Sequence, residues 1–207
     1  MSKVSCIVLA AGAGRRMGHD ENKIFIKLGQ KSIIQWTLSH INQVKAVSEV
    51  ILVVADGEAS YMEQHIASLG LSKLIKIVTG GKERQDSVYA GLQAVGDDID
   101  IVLVHDGARP LAKPELFERV IEGAETHGAV TIGVPSTDTI KRVDIDGQVL
   151  ETLNRNELMN IQTPQGFQKD IFKEAQESAK RDAYLGTDDV SLVEYIGKDV
   201  YILDGDY

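Results

Sequence analysis

Five short apolar runs rich in Val and Ile, each followed by an amphipathic stretch, restrict the fold more than any other feature of the chain. They lie at residues 4–10, 50–55, 74–79, 99–104 and 129–134. Each run is continuous rather than alternating, the pattern of a strand covered on both faces. Between the runs, apolar residues recur at helical spacing. Ser32 is placed to cap a helix that carries Ile34, Leu38 and Ile41 on one face. Met62, Ile66 and Leu69 mark a second helix, stopped by Gly70, and Val88, Leu92 and Val95 a third. Pro114 suits the first turn of a fourth, with Leu116, Val120 and Ala124 inward. The β-α-β-α order predicts an α/β fold: a doubly wound, mostly parallel, Rossmann-like sheet with helices on both faces.

The pattern changes after Val134. Two β-prone runs, 139–143 and 149–152, flank Asp144-Ile145-Asp146-Gly147-Gln148, and Asp146-Gly147 is a turn signal. We read a protruding β-hairpin arm at about 135–157. A hairpin does not bury itself, so this one needs the body of the protein or a second chain, and a homodimer is expected. Helical patterns return at 169–181 and 188–196, with a short strand near 200–203. No repeat or linker interrupts the 207 residues, which suit one domain.

Net charge is −9, which argues against nucleic acid or an anionic membrane as a partner. The charge is uneven: residues 1–31 carry +4 and the remainder −13. The single cysteine, Cys6, sits inside the first apolar run and reads as a small buried hydrophobe. No secretory leader or membrane-spanning run is legible, so a soluble cytoplasmic protein is expected.

The basic excess gathers around Leu9-Ala10-Ala11-Gly12-Ala13-Gly14-Arg15-Arg16-Met17-Gly18, directly after the first strand, with Lys23 beyond it. Small residues let a backbone approach a ligand, and free N–H groups hold phosphate oxygens. The loop fails as a dinucleotide fingerprint, because Met17 stands where a third glycine is needed, and no Gly-Lys-Ser/Thr follows as in a Walker loop. Two readings are open: a phosphate cradle with fixed cations for a phosphorus centre, or a tight turn with solvated arginines. Asp106 follows the fourth run, where ligands of open α/β sheets bind; it suits Mg²⁺ between phosphates, and its alternative is a turn paired with Arg109. His105 has no second ligand at metal spacing and reads as structural.

The loop, with its lysine seven residues after Arg16, resembles that of nucleotidyltransferases that join a nucleoside triphosphate to a sugar or polyol phosphate. Five further segments narrow the resemblance: 80–88 (Gly80 to Val88), 105–110, 138–142, Asn154-Arg155 and 162–167. Together with Gly186-Thr187-Asp188-Asp189 they look like the 2-C-methyl-D-erythritol 4-phosphate cytidylyltransferase family, in order along nearly the whole chain. The resemblance implies attack of a substrate phosphate oxygen on the α-phosphorus of CTP, with Mg²⁺ or another divalent cation. Arg16 and Lys23 would neutralise the charge that builds there, and Arg15 is as well explained by solvent. Ala10, Ala11, Gly12, Gly14, Gly80, Gly81, Ser87 and Asp106 would hold CTP, although Ser87 also suits a helix cap. Arg109, Thr139, Arg155, Thr163 and Thr187 would hold the polyol phosphate, Arg155 counting with Arg16 and Lys23 among the catalytic residues and lying, with its neighbours Lys141 and Arg142, on an arm that crosses to a second subunit. Each threonine equally suits a core or capping role. Thr163 precedes Pro164, which predicts extended backbone and an outward side chain.

Two departures stand out against the family. Asn22 replaces the usual Pro before the lysine, which removes a stiffening ring from the loop. The family's further substrate-binding lysine lies in a segment after Gly205-Asp206-Tyr207 that this sequence does not contain. The alternatives are a ribitol 5-phosphate cytidylyltransferase, which shares the nucleotide loop, and a non-catalytic nucleotide-binding subunit; a nicotinamide dehydrogenase stands further off.

Overall fold

The computed structural model describes residues 2–12 and 22–206. In chain order the elements are β1 (Val4–Leu9), β2 (Lys27–Leu28), β3 (Lys31–Ser32), α1 (Ile33–Gln43), β4 (Val47–Val54), α2 (Ala59–Ile66), β5 (Leu74–Thr79) and α3 (Arg84–Gln93). They continue with β6 (Ile101–Asp106), α4 (Pro114–His127), β7 (Ala129–Pro135), β8 (Lys141–Val143), β9 (Val149–Thr152), β10 (Met159–Gln168), α5 (Lys169–Arg181), α6 (Val190–Tyr195) and β11 (Tyr201–Asp204). Seven strands form one sheet in the order β11-β7-β10-β6-β1-β4-β5. β6, β1, β4 and β5 run parallel, β7 pairs parallel with β11, and β10 runs antiparallel to both its neighbours. The mostly parallel, doubly wound α/β sheet is therefore as expected.

Side chains alternate across the sheet with period two and meet a different helix layer on each side. Cys6 and Val8 of β1 join the core formed with α1, α2 and α4, through Ile34, Leu38, Met62, Phe117 and Val120. Ile7 points to the opposite core, formed with α3, α5 and α6 through Val88, Leu92, Phe172 and Val193. Cys6 is fully buried and burial pushes its thiol pKa up, so it packs as a small hydrophobe.

Local chemistry sets the ends of the elements. Ser32 caps α1: its hydroxyl accepts from the Gln35 N–H, and the Gln35 side chain accepts from the Ser32 N–H. Gly70 ends the turn after α2 at φ +58°. Pro114 opens α4, as expected, but the buried stripe is Phe117, Val120, Ile121 and Ala124, with Leu116 only half-buried. The i, i+3, i+4, i+7 spacing fits that stripe better. The fourth apolar run starts later than its composition suggests and reaches Asp106, so the carboxylate ends a strand.

β10 is the element the apolar pattern does not show. Thr163, Pro164 and Gly166 interrupt its run, and Pro donates no ladder hydrogen bond. The Thr163–Pro164 peptide is cis, and the β10–β7 register shifts between Gln162 and Gly166. A Cβ on Gly166 would stand 2.6 Å from Val120 Cγ1, so glycine lets α4 lie on the strand.

The arm forms as expected, with β8 and β9 antiparallel. Its tip is tied by Asp144, whose carboxylate accepts from the N–H groups of Asp146 and Gln148, while Gly147 takes φ +85°. Ile145 is fully exposed, and Val143, Val149 and Leu150 are each at least half exposed. Among the described residues no helix is long and apolar enough to cross a membrane.

Candidate active site

The strand register brings the expected motifs to one edge. Leu9, the last residue of β1, pairs with Val53 on one side and with Asp106 on the other, and Val54 pairs with Thr79. The carboxyl ends of four parallel strands therefore lie side by side, the usual ligand crevice of such sheets. The loops leaving them carry Ala10–Gly12, Gly80–Gly81 and Asp106–Arg109.

One half of the crevice is built from backbone in close contact. A Cβ on Gly80 would stand 2.7 Å from Ser87 Oγ and 3.0 Å from the Ala11 Cβ, and one on Gly81 only 2.3 Å from the Asp86 Cβ. These glycines let the β5–α3 loop press between Ala11 and the first turn of α3. Ser87 is buried; its hydroxyl accepts from the Gly81 N–H at 3.1 Å and donates to the Glu83 carbonyl at 3.2 Å. It braces the loop from inside the helix. The residue at the cap position is Glu83, whose N–H donates to the Asp86 carboxylate at 3.0 Å, which corrects the capping role for Ser87.

Ala10 is buried and hydrogen-bonded to the Val53 carbonyl, Ala11 is half-buried and Gly12 exposed. Gly14, Arg15 and Arg16 lie outside the described residues. Asn22, at the far end of that segment, is buried. Its amide donates to the Ala10 carbonyl at 2.9 Å and reaches Glu58 Oε2 at 3.4 Å. Hydrogen bonds thus anchor the exit of the loop where a proline ring would have stiffened it. Lys23 follows, half-buried, at the start of a short 3-10 turn, Lys23–Phe25.

The other half of the crevice is ionic. Asp106 is one-third exposed and carries two guanidinium partners: Arg109 Nε at 3.2 Å and Arg84 Nη2 at 3.5 Å. The Arg109 N–H also donates to the Asp106 carbonyl, so the turn pairing considered for these residues is present. Arg84 also meets Asp189, its Nη1 2.8 Å from Asp189 Oδ2. Asp189 is only 1% exposed, and burial pushes its carboxyl pKa up to about 6, with Arg84 opposing that shift. The start of α6 is fixed by the buried Gln165, whose Oε1 accepts from the Asp189 and Val190 N–H groups and whose amide donates to Asp188.

Thr163 is buried and points inward, contrary to the outward side chain read from its place before Pro164. β10 lies between two strands, so Thr163 Oγ1 faces β6; it accepts from the Asp106 N–H at 3.2 Å and meets His105 Nδ1 at 3.1 Å. His105 Nε2 lies 3.3 Å from the Arg109 carbonyl, and burial pushes the imidazole pKa down to about 4. The ring is a neutral structural strut, as expected.

The arm residues stand apart from these groups. Arg155 is exposed and donates to the Thr137 carbonyl, while Thr139 is exposed in the loop before β8. Lys141 bonds Thr152, and Arg142 pairs with Glu151, both across the hairpin. Thr187 is exposed between α5 and α6. Among the described residues, no hydrogen bond or ion pair joins Thr139, Arg155 or Thr187 to Asp106 or Arg109.

The donor set fits a magnesium ion carried by a nucleotide rather than a caged metal. No group of three or more His, Cys, Asp or Glu that could hold a metal occurs among the described residues. Asp106 supplies one hard, accessible carboxylate, and Mg²⁺ takes one or two carboxylates together with phosphate oxygens and waters.

Comparison with known proteins decides the family. Residues 4–207 match the pattern of 2-C-methyl-D-erythritol 4-phosphate cytidylyltransferases. The chain belongs to this family. A member from Pelotomaculum thermopropionicum is 44% identical over 208 residues, covering all of this chain and 87% of its own length. One from Alkaliphilus metalliredigens is 45% identical over 207 residues, covering all of this chain and 86% of its own. The crystal structure of 4-diphosphocytidyl-2C-methyl-D-erythritol synthase from Anaerococcus prevotii superposes with a TM-score of 0.89 at 31% identity, covering all of this chain and 90% of that one.

Sequence reasoning did not single out Arg84, Gln165 or Asp189. All three stand inside quoted segments, and that was their only signal. An acidic pair before an amphipathic helix reads as solvated, and nothing local shows that the second acid is buried against an arginine about a hundred residues away.

Proposed function

We propose that this chain transfers the cytidylyl group of CTP to 2-C-methyl-D-erythritol 4-phosphate, a step of isoprenoid precursor biosynthesis. The products are 4-diphosphocytidyl-2-C-methyl-D-erythritol and pyrophosphate. A phosphate oxygen of the acceptor forms a bond to the α-phosphorus as the bond from that phosphorus to the β-phosphate bridging oxygen breaks. The observation that carries this reading is the convergence of Ala11, Gly80 and Ser87 with Asp106 and Arg109 at one sheet edge, in a chain of this family.

In this reading the glycine loop and the 80–87 segment hold CTP, the base lying between Ala10–Ala11 on one side and Gly80, Gly81 and Ser87 on the other, with Gly12 and Gly14 assigned to the phosphates. A site that pairs the hydrogen-bonding edge of cytosine rejects other bases, because buried polar groups left unpaired are costly. Arg16 and Lys23 meet the charge that grows on the phosphoryl oxygens, where fixed cations lower the barrier most. Asp106 would hold Mg²⁺, which supplies charge neutralisation on the triphosphate. Arg109 forms the acceptor side from within the subunit, and Thr163 braces Asp106 from behind through the Asp106 N–H rather than meeting the acceptor.

Arg155, Thr139 and Thr187 complete the acceptor side in a homodimer, where the arm of one subunit reaches the other. The exposed Val143, Ile145, Val149 and Leu150 support that partner surface. The whole chain acts as one cytoplasmic domain with its arm. The test is pyrophosphate release by the purified protein with CTP, Mg²⁺ and 2-C-methyl-D-erythritol 4-phosphate, with ribitol 5-phosphate as the competing acceptor. Turnover of the methylerythritol substrate alone is expected; preference for ribitol 5-phosphate, or CTP binding without turnover, overturns the reading.

A further inference from the structure

We propose that Asp189 is a positioning residue for the nucleotide site, acting through the guanidinium of Arg84. The inference rests on the cytidylyltransferase reading and names a part of that site which touches neither substrate. Asp189 is 1% exposed, and its carboxylate meets one cation among the described residues, Arg84 Nη1 at 2.8 Å. It is not free to follow that cation. The Asp189 N–H is held at 3.2 Å by Gln165 Oε1, which also accepts from Val190, and the Gln165 amide holds Asp188 at 3.0 Å. Gln165 is itself buried on the central strand β10. The backbone that carries this carboxylate is therefore fixed to the sheet, and Arg84 meets the carboxylate there.

A buried carboxylate without its cation is strongly unfavourable, so Arg84 is pinned. Its second nitrogen, Nη2, then lies 3.5 Å from Asp106 Oδ1. The pin is doubled by the next residue: Gln85 donates to the Tyr184 carbonyl and accepts from the Gly186 N–H, both at 3.0 Å. Two successive residues of α3 thus clamp its first turn to the 184–189 segment. That same turn carries Ser87, against which Gly80 and Ala11 pack. An arginine fixed in this way also shares the charge of Asp106, so Arg109 is not its sole partner and remains available to a phosphate. Stability alone is a poor reason for the arrangement, because well-packed apolar groups often replace a buried ionic group without loss.

The experiment compares the full chain with Asp189→Asn, Arg84→Lys and the double variant. The readouts are CTP affinity by calorimetry with Mg²⁺, kcat and KM for pyrophosphate release, and the Arg84 Nε–Hε signal by NMR without ligand. Asp189→Asn is expected to remain folded, to broaden or shift the Arg84 signal, and to weaken CTP binding by 10- to 100-fold. In the Arg84→Lys background the same change is expected to cost less than threefold further, because the residue it acts through is already lost. An unchanged Arg84 signal, CTP affinity within threefold of the parent, or an equal loss in both backgrounds overturns the proposal. If Asp189→Asn does not fold, Arg84→Lys decides: CTP affinity within threefold of the parent refutes it. A parent protein that neither binds CTP nor turns over sinks the enzymatic reading alone; the NMR comparison still decides whether Asp189 fixes Arg84.

Discussion

Substituting Gly80 by alanine tests whether the close approach of the β5–α3 loop builds the nucleotide half of the site. The added methyl would meet Ser87 Oγ at 2.7 Å, the Ala11 Cβ at 3.0 Å and the Ser87 Cβ at 3.2 Å. The tightest of these falls short of ordinary contact by on the order of 0.5–1 Å, a separation at which dispersion attraction has turned to repulsion. Ser87 is poorly placed to yield, because its hydroxyl accepts from Gly81 and donates to Glu83. Turning it away sacrifices both bonds, at about 1 kcal/mol each. The cheaper response is for Ala11 and the first turn of α3 to part around the methyl, which widens the slot between the end of β1 and the start of α3. A displacement approaching ~1 Å in a positioning loop costs on the order of 10²-fold in rate. Gly80→Ala is therefore expected to lose no more than about 2 kcal/mol of stability. CTP affinity and kcat/KM should both fall by roughly 10- to 100-fold. Calorimetry with CTP, pyrophosphate release and a thermal melt read these separately. CTP affinity and turnover within twofold of the parent would refute the reasoning, since the methyl would then be absorbed somewhere that has nothing to do with the ligand.

Three further outcomes are expected. Phe172→Ala should destabilise the protein by about 3–5 kcal/mol in urea unfolding, because Phe172 and Phe167 are fully buried and stacked at 4.2 Å with an interplanar angle of 9°; a loss below about 1 kcal/mol would contradict that packing. His65 has its pKa lowered by burial first and Lys27 second, so below the unfolded value of about 6.5 the unfolded chain takes up a proton that the fold resists. Stability is then present above that pH and lost as pH falls through the lowered folded value, and His65→Gln should show a smaller drop in Tm between pH 7.5 and 5.5; an identical drop would exclude His65 as a source. Charging the arm tip with Ile145→Asp and Leu150→Asp should leave the Tm of the body unchanged but shift sedimentation toward monomer and cut turnover at least tenfold, whereas full activity as a monomer would remove the arm from the site.

How much was legible follows from the range of each interaction. The buried parallel strands announce themselves because both faces must be apolar along a continuous run, and the helix of Ile34, Leu38 and Ile41 because one face alone is. Ser32, Gly70 and Pro114 act within a turn of their own positions, so sequence places them well. β10 was hidden for the same reason in reverse: Thr163, Pro164 and Gly166 are set by what lies across from them, Asp106 on one strand and Val120 on the packed helix. Short-range rules assign them to a loop.

The site divides along the same line. Glycine-rich loops and a carboxylate at a strand end are local signatures, and the sheet brings the described parts of them to one edge. Long-range partners decide what those groups are doing. Asp106 held between Arg84 and Arg109 differs chemically from a solvated aspartate, because two cations already share its charge. A phosphate that draws Arg109 away then leaves a carboxylate that is still paired. Asp189 carries no local mark at all: only its 1% exposure beside Arg84 separates it from Asp188, one residue earlier in the same acidic pair. A buried charge is defined by the group it faces, and that group lies on another element, so the residues that set the electrostatics of this crevice become visible only once the sheet is assembled.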